Sequence, residues 1–374
     1  MEFSIMKKYS FVGLFWLSVW IVSLSEASVS RRGFGKTVDG RKVDEFVLRN
    51  KKGMEVHLIS YGAAIRCIKV PDRNGKMTDV ALGFDSIKGY ESPQNAKFGA
   101  TCGRYAGMIQ GAQFTLAGKK YELEDNCSGN CLHSGSQAFD REVWRARMLP
   151  QKNAVCFSLV SPDGDDGFPG TLRLQLTYTL KENNSLWLEY EAETDKKTVL
   201  NLLNHVYLNL AGHDQGNIRT QSLQLFADRY VVTKGEKSSG DPTRPVEGTA
   251  LDFRNPLMFG AAFDQSPKKW GINTVFSLQP TVSIKPRRAI RVEDPQSGRT
   301  FECWTTEPDM NLYTANWLKG VQGKGGAVYN QHAAFCPEAI RYAPVPDSPP
   351  TRLLPKEKYR QITIYRFGTL AHKK

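Results

Sequence analysis

The sequence predicts an all-β fold, a large antiparallel sandwich or barrel contained in a single domain. Three observations carry that prediction. Apolar and polar residues alternate with a period of two in run after run, the pattern of strands with one buried face. Clusters of Gly, Pro, Asp and Asn separate the runs at short intervals, as turns between antiparallel strands require. Sustained 3.6-residue periodicity is scarce, which leaves little helix to cover a parallel sheet.

In chain order, EVHLISYGAAIRCIKV (55–70) and FTLAGKKYEL (114–123) come first, the former followed by the turn signal DRNGK. AVCFSLVSP (154–162) follows and runs into the Gly- and Asp-rich PDGDDGFPG. In TLRLQLTYTL (171–180), Leu172, Leu174, Leu176, Tyr178 and Leu180 share one face. After KENN, the run SLWLEYEAET puts Leu186, Leu188, Tyr190 and Ala192 on one face. Two such runs around an Asn-rich turn predict an antiparallel hairpin. SLQLFADRYVV (222–232), RAIRVED (288–294) and YRQITIYRF (359–367) complete the strand set. No linker, internal repeat or low-complexity tract divides the chain.

Ahead of this domain, Lys7 and Lys8 precede the uncharged run FVGLFWLSVWIVSLS (11–25), and small residues follow through Ala27. A basic start, a short apolar core and a small-residue exit form the pattern of a secretory signal peptide. The run falls short of the ~20 apolar residues of a membrane span. Residues 1–27 are therefore expected to be a leader and 28–374 the mature domain. The expected location is extracellular, or within the secretory pathway or a vacuole-like compartment. Two Asn-x-Ser sequons, at Asn126 and Asn183, are expected glycan sites there, Asn183 the better one at a hairpin tip.

The formal charge is +12, from 50 Lys and Arg against 38 Asp and Glu. The basic residues are dispersed and form no long tract or nucleic-acid motif, so a basic surface is expected rather than a nucleic-acid partner. The expected partner is a small molecule, bound by a monomer with no membrane contact once the leader is removed. Seven cysteines leave at least one unpaired, with Cys127 and Cys131 close enough to be a candidate bridge. The absence of CxxC spacing argues against a structural zinc site.

Two histidines stand out from the other four (His57, His213, His332 and His372). His133 lies in the glycine-rich NCSGNCLHSGSQAFDREVW (126–144), and His205 sits beside Asn204 among apolar neighbours in LLNHVYLNLAG. Polar groups in such a segment must be satisfied or functional. A third candidate is Glu338, a carboxylate with few charges near it in FCPEAIRYAPVPDSPP.

Seven segments, in order, resemble the aldose 1-epimerase, or galactose mutarotase, family. They are VALGFDSIKGY (80–90), FGATCGRYAG (98–107), NCSGNCLHSG with Phe139, Asp140 and Trp144, SPDGDDGFPG (161–170), NHVYLNLAG (204–212), VEGTALDFR (246–254) and FCPEA (335–339). The resemblance implies a β-supersandwich and a cofactor-independent isomerase that interconverts the anomers of an aldohexose or related sugar. It gives Glu338 the role of base and His205 that of acid, with His133 hydrogen-bonding near the ring oxygen. Both carboxylate and imidazole have pKa values that burial can reset, and neither metal nor organic cofactor is needed.

The substrate-gripping positions depart from the family pattern. The candidates for lining the substrate are Arg104, Met108, Asn204, Asn273 and Ile340. Gly107-Met108 stands where the family has Asn-Arg, Ile272 or Asn273 where it has Asp, and Ala339-Ile340 where it has Thr-Gln. Polar anchors are thereby exchanged for neutral or apolar ones. Two other functions follow as alternatives: an isomerase or epimerase repurposed for a less polar, non-sugar metabolite, or a secreted carbohydrate binder without turnover. The binder would use Trp144, Trp304 or Trp317 as stacking surfaces, although it would have no need of an acid and a base.

Overall fold

A computed structural model describes residues 1, 26–232, 243–266, 270–343 and 345–371. The leader segment, apart from its first residue and its last two, lies outside the described residues, as does His372.

The strands form three main antiparallel sheets. The N-terminal sheet runs Ser28–Lys36, Lys42–Arg49, Glu55–Ile59, Ala64–Pro71 and Met77–Asp79 in sequence order. The large sheet has nine strands, with Ser185–Thr194, Tyr359–Thr369 and Arg299–Thr305 at its centre. The third sheet, which carries the site, orders Thr243–Pro245, Arg229–Val231, Asn273–Ser277, Asp309–Tyr313 and Cys336–Ile340. The only helices described beyond single 3-10 turns are Ile87–Glu91 and Phe259–Gln265.

The predicted hairpin forms, with Leu180 opposite Leu186 and Leu172 opposite Thr194. Its apolar face is buried throughout from Leu172 to Tyr178, and the polar residues between are turned outward. Asn153 joins this hairpin to the N-terminal sheet by donating to the carbonyls of Arg49 and Leu180 (both 3.1 Å). Each contact of this kind contributes about 1 kcal/mol; the larger share comes from the apolar interior. One continuous cluster contains Leu58 and Ile65 of the N-terminal sheet, Leu176 and Phe301 of the large sheet, and Met310, Leu312 and Ala339 of the site sheet. A core shared by all three sheets makes the described residues from 28 onward one domain.

The run SLQLFADRYVV behaves differently from a single strand. Its first part, Ser222–Leu225, joins the large sheet, and its second, Arg229–Val231, joins the site sheet. The break at Phe226-Ala227-Asp228 lets one run of alternation serve two layers. The candidate Cys127–Cys131 bridge is absent, and all seven cysteines are free. Cys131 is turned into a small core with Ile109, Phe114 and Phe168, while Cys127 sits on a reverse turn closed with Asn130.

Candidate active site

Glu338 lies in a strand, Cys336–Ile340, that is buried on both faces. Pro337 and Ala339 face Leu312 and Met310 in the core, so alternation sends Cys336, Glu338 and Ile340 to the opposite face. This strand ends the sheet order, where a proline costs no ladder hydrogen bond. Directly across from Glu338 is Asn311, whose Nδ2 donates to Oε2 of Glu338 (3.1 Å) and to Oδ1 of Asn273 (3.4 Å). Asn273, one of the sequence candidates, therefore stands on the same face as the carboxylate.

His205 arrives from a different part of the chain. Leu203 and Asn204 pair with Cys102 and Thr101, and the 99–100 segment then clamps the His205 backbone. His205 N donates to Ala100 O (2.8 Å), and its carbonyl accepts from Gly99 N (2.9 Å). Gly99 has φ +70, and a Cβ there would lie 1.9 Å from the carbonyl oxygen of Ile65. Only glycine allows this approach. The imidazole stacks on Tyr207 (5.0 Å between centroids) and meets Tyr313 edge-on (6.1 Å). Its Nε2 then lies 3.6 Å from Oε1 of Glu338.

His133 completes the group at 5.5 Å from His205, ring to ring. It adopts φ +52, followed by Ser134 at +70, an uncommon conformation for residues with side chains and one found at functional sites. A reciprocal pair of bonds holds it: His133 N donates to Gly107 O (2.9 Å), and Gly107 N donates to His133 Nδ1 (3.2 Å). Because Nδ1 accepts, the neutral ring carries its proton on Nε2, which makes that nitrogen a donor.

Burial sets the electrostatics. Desolvation pushes Glu338 up to about 8, although the hydrogen bond from Asn311 acts the other way. Desolvation, aided by the charge of Lys97, takes His205 down to about 3. His133 is held well below the usual histidine range by burial, with His205 and Lys97 adding to it. Lys97 itself is tied to Asp140 at 2.8 Å. At neutral pH the resting pair therefore carries a single acid proton, on Glu338, and His205 is neutral.

The five substrate-lining candidates divide three ways. Asn273 and Ile340 share the face of Glu338, and Ile340 packs with Cys102, Ala106, Leu203 and Val275. Met108 is half-exposed, immediately after the Gly107 peptide that holds His133. Asn204 points away from its neighbour His205, donating to Gly99 O (2.7 Å) and Tyr178 Oη (3.2 Å). Arg104 is a correction. Its guanidinium is buried and donates to the carbonyls of Ser161, Pro162, Pro169 and Gly170, so it braces the 161–170 turn instead of gripping substrate. The tryptophans divide as well. Trp144 is buried in the core and Trp304 sits in the large sheet, which leaves Trp317 alone exposed among the three.

Sequence reasoning missed Asn311 and Tyr313. The signal was present in DMNLY, where Met310 and Leu312 alternate with Asp309, Asn311 and Tyr313, but only the strand pairing sets Asn311 opposite Glu338. A separate cavity of about 650 Å³ on the N-terminal sheet is lined by Arg32, Glu55, His57, Arg66, Asp79 and Lys324. Its charges satisfy one another: Arg66 pairs with Glu45, and Lys324 with Asp79. The two histidines and Glu338 lie elsewhere.

Comparison with known proteins agrees with this geometry. The family model for aldose 1-epimerase matches residues 44–366. The galactose mutarotase of Rattus norvegicus is 38% identical over 349 residues, covering 91% of this chain and 99% of that protein. The aldose 1-epimerase of Escherichia coli (strain K12) is 32% identical over 338 residues, covering 88% and 96%. Among solved structures, galactose 1-epimerase from Lactobacillus acidophilus NCFM superposes with a TM-score of 0.78 at 26% identity, covering 92% of this chain and 100% of that one.

Proposed function

The chain belongs to the aldose 1-epimerase family and is an isomerase of sugar anomers, and from that premise we propose that Glu338, His205 and His133 carry the reaction. The observation that supports this most is the buried pair itself, Nε2 of His205 standing 3.6 Å from Oε1 of Glu338. In the reactive arrangement the one proton is on His205 and Glu338 is ionised. Glu338 takes the proton of the anomeric hydroxyl, and the electrons of that O–H bond form the aldehyde C=O. The C1–O5 bond breaks, and its electron pair goes to O5, which takes the proton of His205. His133 donates from Nε2 to the ring oxygen as charge develops there. The pair now holds its proton on Glu338, the arrangement burial favours. Rotation about C1–C2 presents the other carbonyl face, and the two transfers run backward to close the ring. The proton passes from Glu338 to His205 before the ring opens, and ring opening restores the arrangement that burial favours.

The test is anomer exchange followed by NMR, with the protein added to fresh α-D-galactose and α-D-glucose. Acceleration that Glu338→Gln and His205→Ala each reduce at least about 100-fold, in variants with wild-type circular dichroism, supports the roles. Acceleration that survives either substitution overturns them.

The cellular setting is also our reading. Lys7, Lys8 and the apolar run 11–25 support a secretory leader removed after Ala27, and the exposed hairpin position of Asn183 supports its glycosylation. N-terminal sequencing of protein expressed through a secretory pathway should begin at Ser28, and an endoglycosidase should lower the apparent mass. We further propose that the enzyme acts as a monomer, which light scattering checks.

A further inference from the structure

Both exposed tryptophans among the described residues, Trp270 (46%) and Trp317 (59%), belong to one aromatic path that ends on His205. Trp270 meets Trp317 edge-on at 6.0 Å, Trp317 stacks on Tyr313 at 5.3 Å and 25°, and Tyr313 meets the His205 ring at 6.1 Å. Two large aromatic side chains exposed side by side, and continuous with the buried Tyr313 and His205, mark a binding surface rather than scattered exposure.

The path is also built to hold its shape. Thr314 N donates to Ile272 O (3.1 Å), Ile272 N donates to Thr314 Oγ1 (2.8 Å), and Asn316 Nδ2 donates to Ile272 O (3.0 Å). Trp317 N donates to the Tyr313 hydroxyl (3.3 Å). Gly271, at φ +92, lets the Trp270 segment lie against Thr314 and Asn316; a Cβ there would come within 2.6 Å of Asn316 Oδ1 and of the His332 ring. The buried polar ties therefore fix the two tryptophans relative to each other and to the site. The floor beside Glu338 is apolar too, formed by Ile340, Val275, Leu203 and Ala106.

We propose that this rim is a subsite for an apolar substituent, so that the enzyme's preferred substrate is a reducing sugar carrying an aryl or acyl group away from its free anomeric carbon. The inference rests on the anomer-exchange reading above: the hemiacetal sits at Glu338 and His205, and the substituent lies along Tyr313, Trp317 and Trp270. Rigid aromatic surface binds such a group without ordering new side chains.

The experiment compares D-galactose with its 6-O-benzyl and 4-O-benzyl derivatives, all with free anomeric carbons, by NMR exchange. In the wild type at least one benzyl derivative should show a KM about fivefold below that of galactose, the size of one aromatic contact. Trp270→Ala should abolish that advantage while leaving galactose turnover unchanged, and Trp317→Phe, which keeps a ring, should retain part of it. Equal KM values for all three sugars, or a Trp270→Ala variant that weakens galactose and benzyl sugars alike, would overturn the subsite. No acceleration of any sugar by folded wild-type protein would instead overturn the assigned reaction. The two failures are thus separate readouts.

Discussion

His205 Nε2 and Glu338 Oε1 stand 3.6 Å apart in a buried pocket, close enough to share one substrate but too far for a hydrogen bond to each other. The pH profile follows from that relationship. With Glu338 raised to about 8 and His205 lowered to about 3, the pair keeps one proton between those values. Above the upper value the last acid proton is lost; below the lower one no base remains. The prediction is a plateau in kcat/KM from about pH 3 to pH 8, with a fall on either side. These limits belong to the pair. Limbs at the ordinary carboxylate and histidine values would contradict the burial argument.

Glu338 should also limit stability. Its pKa is higher in the folded protein than in the unfolded chain, so folding takes up a proton between about 4.5 and 8. Stability therefore declines as pH rises through that window. Glu338→Gln removes the penalty. Its stability should equal that of wild type near pH 4 and exceed it increasingly toward pH 8, at about 1.4 kcal/mol per pH unit across the window, and its melting temperature should rise with it. A lower melting temperature at pH 8 would show that the carboxylate is a structural group.

Asn311 favours the ionised form of Glu338 through its 3.1 Å hydrogen bond. Asn311→Leu should therefore shift the alkaline limb upward and reduce kcat roughly tenfold, as expected for one hydrogen bond to a charged group. A fall in kcat with no movement of the limb would point to a steric effect.

Arg104→Met distinguishes bracing from substrate binding. The loss of a buried guanidinium that donates to four carbonyls should destabilise the protein by about 3 kcal/mol or more. KM of the folded fraction should not change. A raised KM at unchanged melting temperature would restore the sequence-based role.

Met108→Arg supplies a donor at the half-exposed position following the His133-binding peptide. Affinity for galactose should rise about tenfold, the value of one charge-assisted hydrogen bond. No gain would mean that the side chain at 108 is turned away from the sugar.

The alternation from Leu172 to Ala192 determined a hairpin and its buried face by itself, because strand burial is written at a spacing of two. His133, His205 and Glu338 were also legible, as polar residues set among apolar neighbours and as parts of segments in a familiar order. What the linear chain could not hold was the pairing of distant strands. Only the register of Asp309–Tyr313 against Cys336–Ile340 turns Asn311 toward Glu338. Only the folding of the 161–170 turn over Arg104 withdraws that guanidinium from the site. The same limit applied to Cys127 and Cys131: close spacing in sequence set no direction for their side chains, and the small core around Ile109 and Phe168 took one of them. Side-chain direction is decided by which surfaces pack together, and that is a property of the assembled sheets.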